Sequence, residues 1–402
     1  MSGREYWLWL AAKEELTALV KHQLLSRFGT PEHLYAMSRA ELIASTGLNK
    51  RQVDALSDKS MERARAIAYD CEKLHISIVT FEDAGYPAIL RRISAPPLVL
   101  YVKGTLPDLE QAPGVGIVGT RKATPYGLKA AETFGQGLAA AGFTVVSGMA
   151  LGVDGAAARG ALKAGGKTIA VLAGGLNICY PPEHNFLMGD IQLAGAVISE
   201  NPPGTRHDGF RFPIRNRIIS GLSRGVLIVE APARSGALIT AHLALDQGRE
   251  VFAVPGNIDA PNSDGCNRLI RDGEAALVTC PRDMVRELGG PLRQPSKPLP
   301  ARPRDAGRAA PVSLWDKILR QNEGTEAPES AKLEQSEEET AIPDTLTDEQ
   351  RQIVQAVLDG ADTPEAILER TDLPAARVMT ALTMLELDGV LIRESGRIVA
   401  KA

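Results

Sequence analysis

Between about residues 76 and 285, short runs rich in valine, isoleucine and alanine alternate with segments that have the apolar periodicity of helices. Continuous apolar strands that alternate with helices are typical of a parallel sheet covered on both faces. We therefore predict an α/β fold whose core is a doubly wound parallel sheet. Such sheets bind ligands at the carboxyl ends of their strands, so the loops after the runs are the first places to search. The predicted strands are Val115–Val118, Thr144–Ser147, Thr168–Leu172, Ala196–Ser199, Val226–Val229 and Val251–Val254.

The chain has 402 residues, more than a single domain usually contains. Residues 1–75 have apolar residues at a spacing of three to four, which predicts a small helical domain. Within it, Ser45–Asn49 separates two periodic stretches and resembles a helix-hairpin-helix turn. Backbone amides in such a turn can hold a phosphate, but a glycine there also commonly closes a helix. Both interpretations remain open, and the structural one is favoured.

The carboxy-terminal part changes character twice. Residues 286–343 are rich in proline and then in glutamate, which predicts a flexible linker with one short amphipathic helix near 314–319. Residues 344–402 have the pattern of three helices and a β-hairpin, which predicts a winged helix. Its recognition helix, about 374–387, offers only Arg377, and from Asp344 on there are eleven acidic and six basic residues. Because duplex binding relies on several cations, we expect this domain to contact protein.

Composition excludes several classes of protein. Hydrophobic residues make up 44% and charged residues 23%, as in ordinary globular chains. No apolar run approaches the roughly 18 residues of a membrane helix, and the amino terminus does not resemble a secretory signal. We therefore expect a cytoplasmic protein that has no membrane partner. The four cysteines lie far apart without metal-ligand spacing, so neither a metal site nor a disulfide framework is expected.

The segment Gly114–Gly119 matches the pattern GxGxxG. In the dinucleotide fingerprint the glycines follow a strand and open a helix, whereas here 115–118 is itself the predicted strand. Only Gly119 falls in the turn. We therefore expect no nicotinamide or flavin nucleotide, and no other cofactor.

The turn after that strand is the strongest candidate for a site. Thr124 is a predicted helix N-cap with Pro125 in the first helical position. Exposed amides and the positive end of the helix would then meet two cations, which predicts an anion pocket. The alternative is a surface turn with incidental charges. The candidate residues are Gly119, Thr120, Arg121, Lys122 and Thr124.

Three further turns at predicted strand ends contain small residues. Glycine permits close approach of a phosphate or sugar, although it also serves in tight turns alone. A helix start after a Ser-Gly pair could supply amides to a second phosphate. The candidates are Ser147, Gly148, Gly174, Gly175, Ser235, Gly236 and Thr240.

A dense basic segment lies between Arg206 and Arg234, where six arginines accompany two acids. Arginine suits bidentate phosphate contacts and stacking on bases, and interleaved phenylalanines could add stacking platforms. The alternative is a helix that packs its isoleucines on the sheet and leaves the arginines in solvent. The candidate residues are Phe210, Arg211, Arg215, Asn216 and Arg217.

Other polar residues receive structural interpretations. Glu200 and Glu230 end predicted strands without a nucleophile, metal cluster or base, so we expect both to orient arginines. His184, His207 and His242 are solitary, and no GxSxG elbow is present. We therefore predict no catalytic residues.

Taken in order, several motifs resemble the DNA-processing protein A (DprA/Smf) family. They are GTRxxTxYG at 119–127, SGMALGVDGAA at 147–157, TIAVLAGGLNxxYPxEHNxL at 168–187, ISENPPG at 198–204, FPIRNRIISGLS at 212–223, VEAxxxSGALITA at 229–241 and VFAVPG at 251–256. The resemblance covers about 76–285. It implies an extended Rossmann-like core between a sterile-alpha-motif-like helical domain and a winged helix.

The same resemblance implies a non-enzymatic protein of natural transformation that binds single-stranded DNA. It implies a homodimer through the Rossmann core, protection of incoming strands from nucleases, and loading of the recombinase RecA. The family's DNA-contacting turn falls on Gly119, Thr120 and Arg121, and its basic segment on 215–217. The chain departs from the family at Ala158, where a histidine is usual, and at Cys266, where a threonine is frequent.

Two rival functions stay open. A nucleotide phosphoribohydrolase similar to the LOG family would share this layout, but that family's PGGxGTxxE turn supplies a glutamate. The corresponding segment here, 235–243, lacks the glutamate and the second glycine step. A transcription factor that reads duplex DNA through the winged helix is disfavoured by the acidity of that domain.

Overall fold

The computed structural model describes residues 3–289 and 346–359, with separate positions between 361 and 400. The chain divides into two compact units, Met1–Pro298 and Leu299–Ala402. Most of the predicted linker, with its short helix at 314–319, and most of the predicted recognition helix lie outside the described residues. The linker's predicted first residues, 286–288, belong instead to the last helix of the first unit.

The amino-terminal part is helical, as predicted. Its helices are α1 (Gly3–Ala11), α2 (Ala18–Phe28), α3 (Pro31–Ala36), α4 (Arg39–Thr46), α5 (Lys50–Ser57) and α6 (Glu62–Lys73). In the turn between α4 and α5, Gly47 adopts a left-handed φ of 68°. The Asn49 side chain accepts from the Gln52 amide at 2.9 Å, and the Gln52 side chain accepts from the Asn49 amide at 3.2 Å. Because these amides already have partners within the chain, the geometry favours the structural interpretation of this turn.

A nine-stranded sheet forms the core of the first unit, in the order β1-β2-β6-β5-β4-β3-β7-β8-β9. Strands β3 to β9 run parallel, whereas β2 pairs antiparallel with β6 and β1 with β2. The six predicted strands are confirmed as β3 to β8, while β1, β2 and β9 were not predicted. The strands are β1 (Ser77–Thr80), β2 (Val99–Gly104), β3 (Gly114–Val118), β4 (Thr144–Ser147), β5 (Thr168–Val171), β6 (Ala196–Ser199), β7 (Gly225–Ile228), β8 (Glu250–Ala253) and β9 (Ala276–Leu277).

Helices cover both faces of the sheet, which confirms the doubly wound arrangement. They are α7 (Pro125–Ala140), α8 (Val153–Lys163), α9 (Asn185–Ala194), α10 (Arg211–Gly221), α11 (Gly236–Asp246), α12 (Asp264–Arg271) and α13 (Pro281–Leu288). On one face, Phe134 and Leu138 of α7 pack with Val115 and Ile117 of β3. On the other, Ile218 of α10 packs with strand residues of the second cluster. The core of the amino-terminal helices is continuous with the sheet residues beneath α9.

Strand β3 explains the GxGxxG match. Gly114 and Gly116 lie inside the strand, and a Cβ at Gly114 would collide with the carbonyl oxygen of Leu222. Close packing against the turn before β7 therefore requires that glycine, as expected for a sequence that is not a dinucleotide fingerprint.

The second unit contains α14 (Asp348–Leu358) and a hairpin of β10 (Leu391–Glu394) and β11 (Arg397–Ala400). Ile353, Val357, Leu382 and Leu391 belong to its buried core. Arg377 forms an exposed ion pair with Glu349 of α14. The single base of the predicted recognition helix is therefore already paired with a carboxylate.

Candidate nucleic-acid interface

The carboxyl ends of β6, β5, β4, β3, β7 and β8 lie in a row. At about 4.8 Å between neighbouring strands, this edge is roughly 24 Å long. The predicted contact residues lie on the loops that leave this edge or on the helices that begin there. The sheet order therefore brings segments that are distant in sequence to one side of the molecule.

The loop between β3 and α7 has the predicted cap. The Thr124 hydroxyl oxygen accepts from the Gly127 amide at 3.2 Å, and Pro125 occupies the first turn. The Glu230 carboxylate accepts from the Thr124 amide at 2.9 Å and from its hydroxyl at 2.5 Å. Our expectation that Glu230 orients an arginine is therefore wrong, because this buried carboxylate holds the start of α7.

This geometry also changes which groups at the start of α7 could attract an anion. The amides of Thr124 and Gly127 already have acceptors, and Pro125 has no amide hydrogen. The Arg121 and Lys122 side chains are exposed directly before this helix end. The exposed cations and the helix dipole are therefore the main features that this turn offers to an anion.

Arg121 lies against an aromatic row. Its guanidinium carbon is 4.7 Å from the centre of the Phe212 ring. Phe212 contacts Tyr180 at 5.6 Å between ring centres, and Tyr180 stacks on His207 at 5.3 Å with an interplanar angle of 17°. Tyr180 keeps 38% of its surface exposed. We call Arg121, Lys122, Tyr180 and Phe212 the Arg121 site.

Sequence reasoning did not place Tyr180 in a site. It follows the glycine-rich turn after β5 in an irregular segment that no periodicity constrains, so its type and position gave no signal. Of the two phenylalanines weighed as stacking platforms, Phe212 lies in the row, whereas Phe210 is 47% exposed beneath the Arg211 guanidinium at 4.8 Å.

Arg215 is not a surface clamp in this structure. Only 5% of the residue is exposed. Its Nη1 donates to the carbonyl oxygen of Gly148 at 3.0 Å and to that of Val171. Burial lowers the pKa of Arg215 to about 10 against the opposing effect of Asp154, so the guanidinium stays charged at neutral pH.

The spacing of residues in α10 indicates that Arg215 faces the sheet. Arg215 precedes Ile218 and Ile219 by three and four residues, and both isoleucines are buried on the sheet. Residues at this spacing share one helix face, so Arg215 belongs to the inward face. The alternative in which α10 packs its isoleucines on the sheet is therefore correct for Ile218 and Ile219. Its second part is wrong for Arg215, which is buried rather than in solvent.

The turn between β4 and α8 is fixed from three sides. Asp154 accepts from the Gly148 amide at 2.9 Å, and a hydrogen bond of 2.9 Å joins His184 Nδ1 to the Met149 carbonyl oxygen. Arg215 supplies the third contact, to Gly148. Met149 adopts a left-handed φ of 55°, which this network maintains. Burial raises the pKa of Asp154, which the Arg215 charge opposes.

These contacts bear on several predicted phosphate ligands. Ser147 and Gly148 are buried in the turn just described. Gly174 and Gly175 are buried too, and the Gly175 amide donates to the Thr205 carbonyl oxygen at 2.9 Å. The structure places all four near the Arg121 site but beneath its surface, and their small size serves close packing.

The remaining predicted contact residues also include both buried and exposed side chains. Arg217 pairs with Glu200 at 2.5 Å, as expected for Glu200, and only 12% of the arginine side chain is exposed. Asn216 accepts from Arg215 Nε at 3.2 Å. Ser235 caps α11 by accepting from Ala237 at 3.3 Å, and Gly236 beside it is exposed, whereas Thr240 is buried.

The two departures from the family pattern lie away from these loops. Ala158 is buried on α8 in the core that joins the amino-terminal helices to the sheet. Cys266 is buried on α12, where burial raises the pKa of its thiol to about 12. Both residues are therefore packed in the core, where neither can contact a ligand at the Arg121 site.

Known proteins match most of the chain. Residues 77–289 match the family described as DNA recombination-mediator protein A, and residues 337–397 match the DprA winged helix domain. Protein Smf of Synechocystis is 32% identical over 402 residues, which is 98% of each chain. The chain belongs to the DprA/Smf family. DNA processing protein DprA of Streptococcus pneumoniae is 46% identical over 205 residues, covering 51% of this chain and 72% of that protein.

The X-ray structure of the Streptococcus pneumoniae DprA confirms the architecture. It superposes with a TM-score of 0.56 at 35% identity and covers 70% of this chain and 97% of that one. The DprA/Smf family acts in DNA processing and recombination. Among the residues that the structure describes, no helix is long and apolar enough to cross a membrane, and no group of side chains is suited to a metal ion.

Proposed function

We propose that this DprA/Smf protein is a non-enzymatic single-stranded-DNA-binding protein that protects incoming DNA and loads RecA during natural transformation and recombination. The observation that carries the proposal is the Arg121 site. It presents two cations at a helix amino terminus together with an aromatic row.

The chemistry of this site fits an unpaired strand. Phosphates are attracted by Arg121 and Lys122 and by the positive end of α7. Bases stack on aromatic rings, and each stacked base contributes about 1–3 kcal/mol. In a duplex both faces of each base are covered by its neighbours, so Tyr180 can reach a base face only in a single strand.

The absence of catalysis is part of the proposal and has two supports. The Glu230 carboxylate, which ends β7, is occupied by the start of α7. The turn at Ser235 and Gly236 begins α11, and this segment lacks the glutamate that the PGGxGTxxE turn supplies in the phosphoribohydrolases. No contact in the described loops favours that rival activity.

Dimerisation through the Rossmann domain, strand protection and RecA loading follow from family resemblance. A dimer would join two Arg121 sites and raise the affinity for a long strand through effective concentration. Each of these steps has its own assay: sedimentation, resistance of bound DNA to an exonuclease, and the rate of RecA filament formation on the strand.

The first experiment is fluorescence anisotropy of the full chain with a labelled oligonucleotide, single-stranded against duplex, across a salt series. Tight and salt-sensitive preference for the single strand supports the proposal. Absence of binding would overturn it, and release of free base from AMP would then support the hydrolase.

A further inference from the structure

The loop after β8 carries an apolar side chain that packing does not explain. Ile258 is 95% exposed, and Tyr126, in the first turn of α7, is 52% exposed. Single exposed apolar residues are ordinary. These two, however, follow β3 and β8 at the same sheet edge as the Arg121 site, and hydrogen bonds join their two segments.

Two hydrogen bonds fasten this loop to the loop of Arg121. The Tyr126 hydroxyl donates to the Pro255 carbonyl oxygen at 2.8 Å. The Asn262 side-chain amide donates to the Lys122 carbonyl oxygen at 3.1 Å. The Tyr126 ring is thus held in place with half of its surface in solvent.

The loop after β7 is joined by hydrogen bonds to the same two segments. The Thr120 amide donates to the Glu230 carbonyl oxygen at 2.7 Å, and the Ala231 amide donates to the Asn262 carbonyl oxygen at 2.8 Å. The loops after β3, β7 and β8 therefore form one continuous surface from Arg121 to Ile258.

The charges along this surface change in order. Lys122 is exposed four residues before Tyr126, and Asp259 is exposed directly after Ile258 in the sequence. A phosphate is attracted to Lys122 and repelled by Asp259. A nucleotide that follows this direction would therefore turn its base, rather than its phosphate, toward Ile258.

We propose that the bound single strand continues from the Arg121 site past Lys122 and packs an unpaired base on Tyr126 and Ile258. This inference rests on the proposed function. The occupant is the same DNA strand rather than a second copy of the chain, because hydrogen bonds join this surface to the loop that carries Arg121 and Lys122. The Tyr126–Ile258 surface thus lengthens the footprint of the protein on DNA.

The test uses Tyr126→Ala and Ile258→Ala in the full chain. Matched controls are Tyr69→Ala and Ile43→Ala, whose side chains are 64% and 60% exposed on helices of the amino-terminal part. Anisotropy is measured with oligothymidines of increasing length, each across a salt series. Tyr126→Phe tests the ring alone, because it removes only the hydroxyl that contacts Pro255.

For long oligonucleotides we expect Tyr126→Ala to weaken binding about fivefold or more, the loss of one stacked base. We expect no loss for the shortest oligonucleotide that the wild type binds, since that strand fills only the Arg121 site. The salt slope should stay unchanged, because no phosphate contact is removed. Tyr126→Phe and both control variants should bind like the wild type.

A loss that is equal at all lengths, or no loss in either variant, would overturn the inference. So would a changed oligomeric state of Ile258→Ala at unchanged affinity, which would assign the surface to contact between copies. Binding that depends on Arg121 while Tyr126 and Ile258 are dispensable removes this inference and leaves the proposed function standing. Absence of single-strand binding by the wild type removes both.

Discussion

Arg121 and Arg215 both lie at the carboxyl edge of the sheet, but they have opposite surroundings. Arg121 is exposed and rests on an aromatic ring, so its charge is available to a ligand. Arg215 is buried, and the carbonyl oxygens of Gly148 and Val171 take up its donors. Among the arginines at this edge, burial rather than charge therefore distinguishes a side chain that can reach a ligand from one that holds the backbone in position.

The largest effect is expected on the stability of the protein when the buried Arg215 is replaced. Arg215→Ala leaves the carbonyl oxygens of Gly148 and Val171 without their buried donor, and each buried polar group left unpaired costs about 1–3 kcal/mol. We expect the free energy of unfolding in urea to fall by that order. If Arg215→Ala unfolds like the wild type while its DNA affinity collapses, Arg215 is a direct ligand and the comparison is wrong.

The next largest effect is expected on single-strand affinity when the exposed Arg121 is replaced. Arg121→Ala should weaken single-strand binding by about 2 kcal/mol, the scale of a hydrogen bond to a charged group, and lower the salt slope by about one. Stability should change by less than about 0.5 kcal/mol, because the residue is exposed. Arg224→Ala is the matched control, since Arg224 is exposed just before the amino end of β7. Equal losses of affinity in both variants would show a general effect of charge.

A smaller effect is expected for Tyr180, whose replacement tests the contribution of stacking in the Arg121 site without removing a charge. Tyr180→Ala should cost about 1 kcal/mol of binding free energy and leave the salt slope unchanged, and Tyr180→Phe should restore the affinity. The readout is the same anisotropy series. A lowered salt slope for Tyr180→Ala would mean that the ring acts by positioning Arg121 rather than by contacting a base.

The smallest effect is expected in the second unit. Arg377 is paired with Glu349 at the surface, where such a pair contributes about 0–1 kcal/mol. Arg377→Ala should leave the affinities for both single-stranded and duplex DNA within twofold of the wild type. A selective loss of duplex binding would assign DNA contact to the winged helix.

The sequence predicted the elements whose signal is local. The strands β3 to β8 are continuous apolar runs, and the Thr124 cap and Pro125 mark the start of α7. The antiparallel strands β1 and β2 were missed because no α-helix follows either of them, so they lack the strand-helix alternation, and β9 was missed because it has only two residues. Tyr180 was missed because only the folded loops bring it to Phe212.

The orientation of α10 shows a second limit. Isoleucines and arginines occur on the same helix, so residue type alone suggested that every arginine could reach a ligand. The spacing of Arg215 to Ile218 and Ile219 indicates its direction, but a buried arginine is stable only with carbonyl partners from β4 and β5. Those partners are distant in sequence, so the fold had to be known first.

Glu230 occupies the place at the start of α7 where a phosphate oxygen would otherwise accept from the backbone. A single strand bound as proposed would consequently be held from outside, by flexible side chains and by ring faces that do not distinguish bases. Contacts of this kind are exchanged one at a time, because none of them requires a phosphate to leave an enclosed cradle. We therefore expect the protein to move along a strand without fully releasing it, and to give way stepwise when another protein polymerises on the same DNA.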